Sequence, residues 1–338
     1  MKSQLSLIFL ALLTLSACTV YRNIPIEVLR PKEFNINGMD KASMVYRNFK
    51  YDNDTVSDYY RYKSVMKKEQ TSIHTDSLIA ITALNKLSEV LIDQNVISQS
   101  YILQYNALPR VTGEKLVPLP GEVIRNIGSS TETGKVIVLE TLSALYSRYT
   151  ADTEAGESAD VIMAGIWAIY NGHTGILEKN QAMIDTLFWN RRNEAGERIV
   201  IPPRVTALEL ATEVFAENFA RKFSDNWETV QRVIIVPPVQ EFNLAAAYAG
   251  ENEWENALAI WEKFSQEKYG RLSVCARFNI ALAYEMLNDL DQAVEWITHA
   301  GKLALIYRNK KEIDLVKQYQ RILIDRQTEI RRLMDNPD

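Results

Sequence analysis

Cysteine and histidine are scarce in this chain of 338 residues, which has two of the first and three of the second. The cysteines are Cys18 and Cys275, and the histidines are His74, His173 and His299. No two histidines have the spacing of a zinc-binding pair on one helix. The small number of cysteines excludes a scaffold held together by disulfide bonds. We predict neither a metal nor another cofactor.

Catalytic signatures are also missing from the sequence. It contains no Gly-x-Ser-x-Gly elbow, no phosphate-binding loop and no dinucleotide-binding fingerprint. The acidic turn Asp52-Asn53-Asp54 has too few ligands for a calcium loop of the EF-hand type, which also needs a distal glutamate. We therefore predict that the protein is not an enzyme. An enzyme would require a deep polar pocket that holds an Asp, Glu or His with a strongly shifted pKa.

The chain carries no large charge of either sign, since 38 Lys and Arg face 43 Asp and Glu, for a net charge of -5. An acidic chain lacks the basic footprint of nucleic-acid-binding proteins, and it gives no reason to expect attraction to anionic lipid. Beyond the N-terminus, no run approaches the roughly 18 consecutive apolar residues of a membrane-spanning helix. The hydrophobic content of 47% is that of a soluble globular protein.

The N-terminus itself has the pattern of a secretory leader. Lys2 supplies a positive charge, residues 5–15 are almost wholly apolar, and Leu15-Ser16-Ala17-Cys18 follows. This stretch resembles the lipobox of bacterial lipoproteins. The resemblance implies that residues 1–17 are a signal peptide and that Cys18 becomes a lipid-bearing, palmitate-type mature N-terminus. An uncleaved anchor helix is the alternative.

The residues after Cys18 indicate which membrane receives the protein. Thr19 stands where an aspartate would resemble an inner-membrane retention signal, and residues 20–23 lack the acidic cluster associated with surface export. We expect a lipid-anchored protein of the outer membrane that faces the periplasm. Cys275 then has no partner within the chain, which favours a small buried hydrophobe over a reactive thiol.

Residues 18–202 show the pattern of a mixed domain. A helix with a regular apolar stripe begins near Asp76 or Ser77, and a hairpin is centred on Asn171-Gly172, which both tolerate positive φ. The predicted strands are 24–29, 43–51, 136–142, 161–170 and 176–189. We predict the α+β class with a mainly antiparallel sheet. Residues 136–189 resemble the small mixed domains of other envelope lipoproteins, including penicillin-binding-protein activators and curli-secretion components.

An internal repeat follows Pro202-Pro203. Residues 243–248 are echoed by residues 279–284, and the matching positions are 36 residues apart. Over about residues 236–302 this pattern resembles the tetratricopeptide family. We predict that residues 203–338 form an all-α, tetratricopeptide-like domain. The helix at 205–223 and the polar helices after Leu303 are expected to cap the two repeats.

The resemblance also implies a concave surface with four apolar residues, which are candidate partner-binding residues: Phe242, Ala246, Phe278 and Leu282. Two occupants fit such a groove, namely an apolar partner segment and the chain's own N-terminal domain. Asn243 and Asn279 are expected to hydrogen-bond between helices.

The whole pattern resembles a class of envelope lipoproteins of unknown function. We therefore expect a membrane-anchored periplasmic lipoprotein that acts as a non-catalytic interaction or scaffold module for envelope proteins, without a nucleic-acid partner. The alternative is a small-molecule or glycan-binding lipoprotein, for which Trp167, Trp189 and Trp227 could supply stacking faces.

Overall fold

The structure, a computed structural model, describes residues 19–34, 40–53, 59–63, 65–68, 72–150, 157–190 and 199–335. Cys18 and the leader lie outside these residues, so the predicted lipid attachment does too. The chain divides into two compact units. The first, here called the sheet unit, is Lys32–Asp225, and the second, the helical unit, joins Met1–Pro31 to Asn226–Asp338. Among the described residues, no helix has the length and apolar character to cross a bilayer.

The predicted α+β class is confirmed. The described strands are β1 (Val20–Arg30), β2 (Lys41–Tyr46), β3 (Phe49–Tyr51), β4 (Tyr59–Tyr62), β5 (Val65–Lys68), β6 (Gln99–Ile102), β7 (Val111–Gly113), β8 (Lys135–Thr150), β9 (Glu157–Asn171), β10 (Leu177–Asn190) and β11 (Asn226–Val236). The helices are α1 (Ser72–Asp93), α2 (Gly121–Thr131), α3 (Arg204–Ala220), α4 (Gln240–Gly250), α5 (Trp254–Glu262), α6 (Arg271–Met286), α7 (Leu290–Tyr307) and α8 (Lys310–Asp335).

The sheet unit is built on a mixed sheet of seven strands. Its main path runs β10-β9-β8-β2-β6, and β8 also pairs with β4, which pairs with β5. The long strands β8, β9 and β10 are antiparallel, whereas β2 is parallel to both β6 and β8. Helices α1 and α3 cover one face, where Leu87 and Phe215 share a core with Trp167. Helix α2 covers the other face, where Ile124 packs with Val138.

Helix α3 corrects one expectation, because it does not cap the repeats. Its Phe215 and Phe219 rings stack on Trp167 of β9, with centroid distances of 6.1 and 4.7 Å. The division between the units therefore falls after Asp225 and not after residue 202 as expected. Pro203 occupies the N-cap of α3, a position that needs no intrahelical N–H donor. The proline pair thus marks the start of a helix within the sheet unit.

The hairpin between β9 and β10 is confirmed, but its turn differs from the predicted one. Positive φ occurs at Gly175 (75°), and neither Asn171 nor Gly172 adopts it. Asn171 Oδ1 instead accepts the backbone N–H of His173 at 3.0 Å, which closes an Asx turn, and it also accepts the N–H of Thr174 at 2.9 Å. Gly172 is needed for a different reason, since a Cβ there would collide with the carbonyl oxygen of Thr133.

The helical unit contains two helix pairs with the predicted spacing. Helices α5 and α7, the second members of the pairs, begin at Trp254 and Leu290, 36 residues apart. The loop residues Asn252 and Asn288 adopt positive φ of 62° and 61°, as expected of asparagine at such turns. The repeat in the sequence therefore corresponds to a repeat of backbone structure.

A two-stranded ribbon completes the helical unit and was not anticipated. Strand β1 pairs antiparallel with β11 over their full lengths, from Val20 opposite Val236 to Arg30 opposite Asn226. Strand β11 lies within the range expected to be all-α. Ile26 and Val28 of β1 and Ile234 of β11 join the core of the helices. The ribbon therefore packs on the helix pairs and shares their core.

Candidate functional site

The four residues predicted to line an open groove are buried in the core of the helical unit. Phe242 and Leu282 are fully buried, and Phe278 and Ala246 nearly so. The structure does bring the four together, but in the same cluster as side chains of the ribbon. The chain itself covers these positions, but the covering segment is the ribbon, of which only β1 belongs to the range 18–202 that was considered as an internal occupant.

The two repeat asparagines do not form the expected hydrogen bonds between helices. Asn279 Nδ2 donates to the Ile235 carbonyl at 2.8 Å, and its Oδ1 accepts the Ile235 N–H at 2.9 Å. Asn243 Oδ1 accepts from Arg22 Nη2 at 3.1 Å, so it too contacts the ribbon. A primary amide offers one strand residue the same donor and acceptor that a neighbouring strand would. The fully buried Asn279 therefore ties α6 to β11.

A buried Arg–Glu–Tyr triad lies where the ribbon meets the helices. Arg232 makes two hydrogen bonds to the Glu285 carboxylate, of 3.0 and 2.8 Å, and Tyr319 Oη donates to the same carboxylate at 2.7 Å. Loss of solvent and the neighbouring Glu285 charge raise the pKa of Tyr319 well above its ordinary value. The triad thus connects β11, α6 and α8 through groups that satisfy one another.

A second triad in the sheet unit lies where the parallel pairing of β2 with β8 ends, next to Tyr46 and Leu139. Arg47 Nη1 donates to Glu140 Oε2 at 2.8 Å, and Tyr170 Oη donates to Glu140 Oε1 at 2.6 Å. The segment before α2 lies against it, because Arg47 also donates to the Val117 carbonyl and the Leu119 N–H donates to Tyr170 Oη. Burial, followed by the hydrogen bond to Glu140, raises the pKa of Tyr170.

The position of this second triad is one at which other proteins with parallel strands bind ligands. Parallel strands flanked by helices on opposite faces bind ligands at their carboxyl ends, and β2 and β8 are such a pair. Here Glu140 stands at a register shift between β8 and β9 and fills that position. Both carboxylate oxygens of Glu140 accept hydrogen bonds, one from Arg47 and one from Tyr170. The carboxylate therefore links these elements of the sheet unit. Among the described residues, no group of three possible metal ligands occurs.

Neither triad was predicted from the sequence. The available signal was a single charged residue inside an apolar strand, such as Glu140 between Leu139 and Leu142. Such a residue predicts a buried partner of opposite charge, but it does not identify that partner.

The outer edge of the sheet exposes two large apolar side chains to solvent. Within the described part of the chain, β10 has a neighbour on one side only, which is β9. Ile184 and Phe188 of β10 are 74% and 53% exposed, whereas Leu187 and Trp189, on the opposite face, pack on the core. The start of β10 carries Glu178 and Lys179, whereas residues 181–190 contain one charge, Asp185, whose Oδ1 accepts from Asn218. Natural edge strands are usually short, charged or interrupted by proline, so β10 is an unusual edge.

The three tryptophans considered for ligand stacking differ in exposure. Trp167 is fully buried against two phenylalanines of α3, which leaves its ring inaccessible to a ligand. Trp189 is partly buried against the same core, and Trp227 of β11 is largely exposed. One of the three rings is thus open to solvent.

Cys275 is buried, as expected of a small hydrophobe. Desolvation, together with the neighbouring Glu312 charge, raises the pKa of its thiol to about 12. Since the thiolate is the reactive form, the fold holds this thiol in its unreactive state.

Two family models match the chain. The first, described as a domain of unknown function (DUF8603), matches residues 39–234, and the second, a domain of unknown function (DUF6340), matches residues 243–325. No curated protein matches the chain. The first match covers most of the sheet unit and most of β11, and the second covers the two helix pairs and part of α8.

Proposed function

We propose that this chain, which belongs to the family of the domain of unknown function DUF8603, is a lipid-anchored, non-catalytic interaction protein. The proposal is based on the geometry of the structure. In this proposal the lipid on Cys18 holds it at the outer membrane, facing the periplasm. Strand β10 binds an extended segment of another envelope protein. The exposed apolar edge of β10 is the observation that carries the proposal.

The backbone of β10 suits strand addition. An edge strand presents a row of N–H and C=O groups, which an extended segment can pair with by main-chain hydrogen bonds. Because side chains alternate along a strand, Ile184 and Phe188 lie on one face with Thr186 between them. A matching segment would carry apolar side chains at alternate positions.

Other features support an interaction role over catalysis. In both buried triads the two carboxylate oxygens, of Glu140 and of Glu285, accept hydrogen bonds that hold neighbouring elements together. The two helix pairs support a tetratricopeptide-like scaffold whose groove residues contact the chain's own ribbon. The alternative of small-molecule or glycan binding is supported by one exposed ring, that of Trp227.

Two lysines on the exposed face of β10 are expected to abolish partner binding. We would place a photo-crosslinking residue at the exposed Thr186 and compare the chain with and without Ile184→Lys and Phe188→Lys. Each lysine would put a charge where the partner's apolar side chains lie. The yield of crosslinked partner peptide, measured by mass spectrometry, should fall by at least about tenfold, the effect of roughly 1.4 kcal/mol.

Val205→Lys is the matched control, since Val205 is an exposed apolar residue of the same unit but lies on α3. It should leave the crosslink unchanged. An undiminished crosslink in the β10 variant, or a crosslinked peptide without alternate apolar residues, would remove β10 as the binding edge.

A further inference from the structure

One end of the helical unit brings together the start of β1, the start of α6, the end of α7 and the start of α8. Lys311 Nζ lies 3.5 Å from the centre of the Tyr21 ring. Arg271 donates to Glu312 Oε1 at 2.7 Å, and the Tyr307 hydroxyl lies beside the helix start at Gly270. Tyr21 is three residues from Cys18 in the sequence, so the proposed lipid would leave the chain at this end.

Three consecutive apolar side chains are exposed here. Leu305, Ile306 and Tyr307, at the end of α7, are 59%, 70% and 43% exposed. Single exposed apolar residues are normal on soluble proteins, whereas a contiguous apolar group marks a contact surface. We call these three exposed residues at the end of α7 the tip.

The tip is flanked in the sequence by positive charge. Residues 302–311 contain four cations and no carboxylate, in a chain whose net charge is -5. The four are exposed: Lys302, Arg308, Lys310 and Lys311. The net charge of the chain gave no reason to expect attraction to anionic lipid. The local cluster of cations does give such a reason.

A cavity of about 290 Å³ adjoins the tip. Its lining residues are Glu267, Arg277, His299, Lys302, Leu303 and Ile306. The Arg277 guanidinium is held in place by its Nε donating to the Ser265 carbonyl at 2.9 Å. The lining holds two cations and an imidazole against one carboxylate, that of Glu267. This excess of positive charge beside an apolar rim matches the chemistry of a phosphate that is attached to an acyl chain.

We propose that this end of the helical unit is a membrane-docking surface for anionic phospholipid. Leu305, Ile306 and Tyr307 enter the bilayer interface, the surrounding cations contact the headgroups, and the cavity takes a lipid phosphate. The inference rests on the proposed function in one respect, that the lipid on Cys18 brings this end to the bilayer. A lipid chain combined with a basic apolar patch binds membranes more stably than a single acyl chain does. The patch would also fix the orientation of the helical unit on the membrane.

The test uses the protein extracted from membranes and reconstituted into vesicles of phosphatidylcholine, alone or mixed with phosphatidylglycerol. Hydrogen exchange of the amides at 303–312 should be at least about fivefold slower in the anionic vesicles, the effect of roughly one basic residue near such a surface. High salt should reduce the difference, because it screens exposed charges.

Two sets of variants sharpen the test. Leu305→Ser with Ile306→Ser, and separately Lys310→Glu, should remove most of the slowing. Leu244→Ser, at an exposed apolar residue on α4 of the same unit, should keep it. Equal exchange in both vesicle types, or variants of the tip that behave as the unaltered protein does, would overturn the docking surface.

The mass of the N-terminal peptide from the same sample separates the two proposals. An acylated Cys18 without slowing at 303–312 refutes the docking surface and leaves the anchor. Slowing with an unacylated N-terminus refutes the anchor and leaves the docking surface.

Discussion

Phe242→Ala is expected to lower the free energy of unfolding by about 3–5 kcal/mol, the usual loss for a buried phenylalanine. The Phe242 ring is fully buried and packs 5.2 Å from the Phe264 ring, beneath the ribbon. Truncation would leave a cavity that α4 and β11 cannot close without separating from their neighbours. Denaturant titration followed by circular dichroism measures the loss.

The same variant decides between a core and a binding role for Phe242. Molecules that remain folded should bind a partner as the unaltered protein does, since no part of the ring reaches the surface. Leu244→Ala, at an exposed position on the same helix, should change stability by less than about 0.5 kcal/mol. A stable Phe242→Ala protein that has lost partner binding would restore the groove hypothesis.

Glu285→Ala should destabilise the protein by about 3–5 kcal/mol, because removal of one member of a buried ion pair leaves the other charge unpaired. Here the loss falls on both Arg232 and Tyr319, which donate to the same carboxylate. Glu285→Gln keeps an acceptor in place and should cost less. Thermal and denaturant unfolding of the variants measure the difference.

An exposed ion pair provides the control for Glu285. Arg30 and Glu228 lie 2.7 Å apart across the ribbon, with side chains 31% and 49% exposed. Glu228→Ala should cost less than about 1 kcal/mol, as exposed pairs contribute little. If Glu285→Ala cost no more than Glu228→Ala, the triad would not hold β11, α6 and α8 together.

The elements that the sequence predicted well are those with local signals. The echo between residues 243–248 and 279–284 predicted two helix pairs, because each helix contacts its partner across a short turn. The apolar, aromatic-rich run 161–170, followed by Asn171-Gly172 and the returning run 176–189, predicted the β9–β10 hairpin for the same reason. Its turn was assigned wrongly, because Asn171-Gly172 satisfies two different backbone geometries and the contact with Thr133 selects one.

The ribbon and the covered groove could not be predicted from local pattern. Val20 pairs with Val236 across more than 200 residues, and nothing near either residue identifies the other. Phe242 and Phe278 lie in one core with side chains of the ribbon. Self-coverage was one of the two outcomes left open, but the covering strand β11 could not be identified from the sequence. Helix α3 was misplaced because its apolar Ala and Phe positions fit a sheet as well as a helical stack.

Strand periodicity explains why the exposed edge was also missed. Alternation along β10 shows that Leu187 and Phe188 face opposite sides of the sheet. It does not show whether the strand is central, with both faces covered, or lies at the edge. Only the strand order reveals that β10 is the edge and that the Phe188 side is open.

The central claim is that the mature protein begins with a fatty-acylated cysteine and works at a membrane. Mass spectrometry of the N-terminal peptide from membrane-extracted protein tests it most directly. The predicted result is a peptide that starts at Cys18 and carries a thioether-linked diacylglycerol and an amide-linked acyl chain. A peptide that starts at Met1, or one with an unmodified Cys18, would contradict it.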